Sequence, residues 1–251
     1  MFVKRECFRA VKSVHIQVLF AIIIAWGSLF TFFVGNGNKI GISVFGELTM
    51  YKNMSEVLLN GLNFTKGLGF LITLAIALGI AQEYRYRTWV HFIGSGMDRC
   101  AVYLGKYVFA LGLAIAPFLT YTMSAYLTSV GMGKTMRFDQ ILFVIERGII
   151  VYGTLAGIVV FLSMSSKNYV SGILFPLAFV FCEKDMFVMM RTLLEKAKIH
   201  TGLLGRYTLL QINTVAPCEG THVFFEMLLP GVAITIVVTL LGYFLFSKYE
   251  L

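Results

Sequence analysis

Charge is scarce in this chain of 251 residues. Only 14% of them are Asp, Glu, Lys or Arg, where a soluble domain usually has about 25%. The motifs of soluble chemistry are missing too. There is no Gly-x-x-x-x-Gly-Lys-Ser/Thr loop, which excludes ATP binding by that route. There is no Gly-x-Ser-x-Gly elbow and no His-Glu-x-x-His helix, and His15, His91, His200 and His222 are scattered. The four cysteines, Cys7, Cys100, Cys182 and Cys218, form no close metal-ligand pair. No convergent set of acids, bases or metal ligands can be assembled, so the chain is not expected to be an enzyme or to bind a cofactor. Cys182 and Cys218 fall at or beyond the outer end of the fifth span, where a disulfide and plain packing thiols both remain open.

What is abundant is apolar sequence. Hydrophobic residues make up 58% of the chain, and they come in runs near the roughly 20 residues that a helix needs to cross hydrocarbon. The net charge of +8 is explained by cationic span ends rather than by nucleic acid. The first run, Val14 to Val34, is longer than the core of a signal peptide and reads as a retained span.

The expected fold is all-α: one polytopic transmembrane domain over residues 1–251, with six transmembrane helices. Residues 1–13 form a basic amphipathic helix at the membrane interface. Val3, Cys7, Ala10, Val11 and Val14 lie on one side of it, and Lys4, Arg5, Arg9 and Lys12 take the rest. The later spans are expected at Val57–Ala81, Tyr107–Val130 with Pro117 inside it, Ile141–Met164, a short fifth run Tyr169–Cys182, and Met227–Phe246. A loop, Gly35–Ser55, joins the first two. After Cys182 the chain either stays helical past Glu183, Lys184 and Asp185 or leaves the membrane. Residues 191–226 are too apolar for a free loop and too charged for a span, which predicts an outer segment that re-enters the membrane. Gly153 and Gly157 make a G-x-x-x-G pair, either a close helix contact or chance spacing. Asn60, Asn63 and Lys66 lie three apart on the second span and are candidates for lining a translocation path.

Six spans place both termini on one side. The N-terminal segment, residues 82–106, Lys167 and Lys248 then share that side and hold 10 of the 21 Lys and Arg residues. Cations concentrated near span ends mark the cytoplasmic face, so both termini are expected inside a plasma membrane.

The segment richest in information runs from Glu83-Tyr-Arg-Tyr-Arg-Thr88-Trp89 to Asp98-Arg99 and Gly105-Lys106. It resembles the stretch between spans two and three in permease subunits of type-2 ABC transporters. That family shows Glu, then Gly-Thr, a hydrophobic stretch, a Pro-x-Ser-Arg-like turn and a Gly-Lys pair. Glu83, Thr88, Arg99, Gly105 and Lys106 stand at matching positions. Arg87 replaces the family Gly, and Gly94-Ser95-Gly96 replaces the turn with Pro. The resemblance extends to the architecture over nearly the whole chain.

It implies a membrane subunit of an ATP-driven exporter of a peptide, drug or lipid-like amphiphile, from the bacteriocin-immunity or antimicrobial-peptide branch. The implied partners are a cytoplasmic ABC ATPase, which would hold ATP and Mg, a second copy or a related permease, and membrane lipid. The implied coupling residues are Glu83, Tyr84, Arg85, Tyr86, Arg87, Thr88, Trp89, Phe92 and Arg99, on one amphipathic helix from Glu83 to Phe92 and the turn after it. Its aromatics would anchor in an ATPase cleft and its arginines orient the contact. The other function class is a self-sufficient channel or secondary transporter, which would show ionisable residues deep in the membrane.

Overall fold

The computed structural model of the chain describes Phe8 and residues 12–44, 47–62, 67–134, 136, 138–166, 168–196 and 222–248. Among these residues the elements run α1 (Val14–Gly35), β1 (Ile40–Val44), β2 (Glu47–Tyr51), α2 (Met54–Asn60), α3 (Leu68–Tyr86), α4 (Thr88–Gly94), α5 (Arg99–Gly131), α6 (Phe138–Ser165), α7 (Tyr169–Lys196) and α8 (His222–Ser247). Helices α1, α3, α5 and α6 are long and apolar enough to cross a membrane, which makes this a mostly helical membrane protein. Four described helices meet that standard, not the six expected. In α7 and α8 the apolar helix is shorter, Tyr169–Glu183 and Gly231–Ser247.

Helix α6 is the centre of the bundle and packs against α5, α8, α3 and α7. In lipid, apolar helices gain little by hiding from solvent, so close packing at small residues holds them. Gly148 of α6 faces the Phe118 ring of α5, and a Cβ there would overlap that ring. The G-x-x-x-G pair is used inside the chain. A Cβ on Gly157 would lie 3.4 Å from Tyr107 of α5 and 3.6 Å from Thr235 of α8, and one on Gly153 3.8 Å from Leu111. Apolar side chains such as Ile22 and Leu29 on α1 and Ile236 and Leu240 on α8 point outward, as a lipid-facing surface requires.

At one end of the bundle the expected loop 35–55 contains an antiparallel hairpin, so the fold is not wholly α. Ile40 pairs with Tyr51 and Val44 with Glu47. Tyr51 is buried edge-on against Phe30 of α1, with ring centroids 5.1 Å apart, and Ile40 and Ile42 pack against the same patch. Glu56 reaches back to the backbone N–H groups of Lys52 and Asn53, which starts α2 directly after the hairpin. At this end the Lys134 ammonium also bonds the carbonyl of Gly35 and caps α1.

The second span is not one helix over Val57–Ala81. It is split into α2, which ends at Asn60, and α3, which starts at Leu68. Gly67, at the start of α3, has φ +128°, and a Cβ there would come within 2.5 Å of the Trp26 indole. Only glycine fits both the backbone angle and the indole.

At the opposite end, the long helices extend past the span ends expected at Ala81 and Tyr107. α3 runs to Tyr86 and α5 begins at Arg99. Charged residues enter the bundle because Glu83 and Lys106 neutralise each other. Helix α7 continues through Glu183 to Lys196, which resolves the alternative left after Cys182. The interfacial helix over 1–13 lies outside the described residues, apart from Phe8, Lys12 and Ser13. Of the segment 191–226, residues 197–221 lie outside them, and so does Cys218.

Candidate functional site

The turn from α3 to α5 is built around one backbone corner. Arg87 has φ 51° and ψ 30°, the left-handed region, and is the single non-glycine residue with positive φ among the described residues. This conformation ends α3 at Tyr86 and redirects the chain into α4, a helix of seven residues. Ser95 and Gly96 then close α4, with Ser95 N–H on His91 O and Gly96 at φ +88°. The single amphipathic helix expected over Glu83–Phe92 is therefore two helices meeting at Arg87. The backbone at Arg87 has the left-handed conformation that glycine favours, although the residue is Arg.

The predicted coupling residues divide into two groups. Arg85, Tyr86 and Arg87 are exposed at the corner. The Arg85 guanidinium lies 5.8 Å from the Tyr86 ring centroid and 5.7 Å from that of Tyr169, at the start of α7. Glu83, Tyr84, Phe92 and Arg99 brace the corner from inside. Glu83 is buried and pairs with the buried Lys106 ammonium. The Tyr84 hydroxyl donates to the carbonyl of Met164, near the end of α6, at 2.7 Å. Arg99 donates to the carbonyl of Ser247 at the end of α8, at 2.7 Å. Phe92 packs against the core. The Thr88 hydroxyl is buried and lacks a hydrogen-bond partner among the described residues. Trp89 lies on α4, and its side chain lies outside the described residues.

Ends of α3, α5, α6 and α8 are thus tied together beside α4, with an exposed cationic and aromatic corner. Breaking a buried ion pair by removing one partner costs about 3–5 kcal/mol. The Glu83–Lys106 contact is therefore a firm tie. Sequence reasoning placed both residues in the motif without joining them. The available signal was an acid and a base, each one or two turns inside a helix bordered by apolar residues.

Of the translocation candidates, Asn60 is buried at the hairpin end. It accepts a hydrogen bond from the Tyr51 hydroxyl at 2.7 Å and donates to the Tyr121 hydroxyl at 3.3 Å. Tyr121 in turn donates to the carbonyl of Val57 at 2.9 Å, and Tyr152 to that of Gly61 at 2.7 Å. Asn60 is thus held in a hydrogen-bonded network that joins the hairpin, α2 and α5. Asn63 and Lys66 lie outside the described residues.

Two further charged residues were not singled out for function. Arg147 is buried nine residues inside α6, with its guanidinium 3.5 Å from the Phe143 ring centroid. Glu183 is buried fourteen residues inside α7. At 1.5 Å per residue they lie about 14 and 21 Å from the starts of their helices. Among the described residues no cluster of His, Cys, Asp and Glu could hold a metal ion. No protein-family model, no curated protein and no solved structure matches this chain.

Proposed function

We propose that this chain is the membrane-spanning permease subunit of an ATP-driven ABC exporter, taking its energy from a separate ATPase. In this reading α7 and α8 also cross the bilayer, giving six spans. The α4 end faces the cytoplasm, with both termini, and the membrane is the plasma membrane. The cargo is a peptide, drug or lipid-like amphiphile, and a second copy or a related permease completes the pathway.

One observation carries the reading. The left-handed corner at Arg87 sets a short helix between two spans and leaves Arg85, Tyr86 and Arg87 exposed above a braced bundle end. A protein without a phosphate loop of its own must receive the energy of ATP through a contact. A rigid projection with an aromatic and two cations has the composition of such a contact. The family-like residues around it support the same reading.

The test is to isolate the tagged chain from its native membrane in mild detergent. A co-isolated ATPase whose hydrolysis is altered by reconstitution with this chain is the expected result. Isolation of a chain that moves cargo alone, with no ATPase, would reject it.

A second reading, self-sufficient secondary transport, is favoured by Arg147 and Glu183, because charges deep in a membrane bundle often serve ion pathways. Transport driven by a proton or sodium gradient without ATP, and abolished by Glu183→Gln, is the outcome that supports it.

A further inference from the structure

We propose that the buried Glu83–Lys106 ion pair is a strut that makes α3 and α5 move as one body when α4 is displaced. The inference rests on the permease reading and goes beyond it by assigning the step that follows ATPase docking.

The geometry has three ties. Tyr84 links the end of α3 to the end of α6 through the Met164 carbonyl. Arg99 links the start of α5 to the end of α8 through the Ser247 carbonyl. Glu83 and Lys106 join those two linked pairs across the interior. Glu83 lies three residues before the end of α3 and Lys106 seven after the start of α5. By helix rise that is about 5 and 10 Å above the two roots of α4. A push on α4 therefore reaches the pair before it reaches the middle of either span.

The chemistry of the pair suits this place. Apolar helix surfaces slide at small cost, because one dispersion contact replaces another. An ion pair buried to this degree cannot slide, because separation strands two charges in a medium of low dielectric constant. Shear between α3 and α5 is blocked while the rest of the bundle stays free to rearrange. Simple charge neutralisation, the competing role, requires only that no lone charge be left inside.

The two roles separate in a variant that removes both charges, Glu83→Gln with Lys106→Met. It leaves no stranded charge, so it is expected to insert and fold. With Arg85, Tyr86 and Arg87 intact it is expected to recover the ATPase as wild type does. The readout is trypsin cleavage at the exposed hairpin lysines Lys39 and Lys52, at the far end of the bundle. It is measured on the complex in nanodiscs, with and without ATP and vanadate. Wild type is expected to change its cleavage rate by about fivefold or more. The doubly neutral variant is expected to change by less than about twofold. In Glu83→Cys with Lys106→Cys, a short bifunctional thiol reagent is expected to restore the response, since a covalent bridge replaces the strut but not the charges. A full nucleotide response in the doubly neutral variant would overturn the strut. Absence of any ATPase or nucleotide response in wild type would instead reject the permease reading on which it stands.

Discussion

The Tyr51 hydroxyl, on the hairpin, donates a 2.7 Å hydrogen bond to the side-chain carbonyl of Asn60, on the short helix that precedes the second span. Asn60 passes the network on to Tyr121 of α5. Three separate segments are thereby fastened at the hairpin end. Asn60→Leu strands the buried Tyr51 hydroxyl, at a cost of about 1–3 kcal/mol, while Tyr121 keeps its bond to the Val57 carbonyl. The melting temperature of the purified protein is expected to fall. An unchanged melting temperature with altered cargo preference would instead make Asn60 a path residue.

The same network has a pH limit. Burial, and secondarily the charge of Glu56, push the Tyr51 phenol up from 10.0 to about 12. The folded state therefore keeps this proton more tightly than the unfolded state. The stabilisation is complete below pH 10 and is lost as the pH rises through 12. The tyrosinate absorbance that disappears in Tyr51→Phe should titrate near pH 12. Titration near pH 10 would mean that the ring is solvated.

Packing at α6 gives a matched pair of variants. Phe118 faces Gly148 and also stacks on Tyr152, with ring centroids 5.0 Å apart. The ring has little room to withdraw from an added methyl. Gly148→Ala is expected to cost about 1–3 kcal/mol by overpacking. Gly112→Ala, whose new methyl meets nothing within 4 Å, is expected to leave the melting temperature unchanged or raise it. Equal effects at the two sites would contradict this packing.

Arg87 offers a variant in which stability and function part. A non-glycine residue in the left-handed region costs roughly 1–2 kcal/mol. Arg87→Gly is expected to raise the melting temperature by relieving that cost. It also removes one exposed cation, so recovery of the partner ATPase should weaken. A variant that is less stable than wild type would show that the Arg87 side chain has a bracing role.

The apolar runs were legible because lipid demands length and hydrophobicity from each span separately. α1 was placed to within a residue, Val14–Val34 against Val14–Gly35, and α6 to within three at its start. What depends on a partner from another segment was not legible. The break before α3 relies on Gly67 meeting Trp26, and the two residues are far apart in the chain. The hairpin was hidden because its apolar residues blend into an apolar chain. At the candidate site the residue types were visible, but their division was not. Glu83 looked like a member of an exposed helix until Lys106, 23 residues later, took it inside.

The central claim is that an ATPase docks on the corner formed by Arg85, Tyr86 and Arg87. The direct measurement is quantitative co-isolation of the ATPase with wild type and with Tyr86→Ala/Arg87→Ala, at matched amounts of membrane-inserted chain. Tyr86 is 64% exposed, so its removal should leave the fold intact while deleting an aromatic anchor. Truncation of an interface hot spot typically costs about 2 kcal/mol, roughly thirtyfold in affinity. The expected result is loss of most of the ATPase from the variant, with its melting temperature no lower than wild type. Equal recovery of the ATPase by both chains would contradict the account.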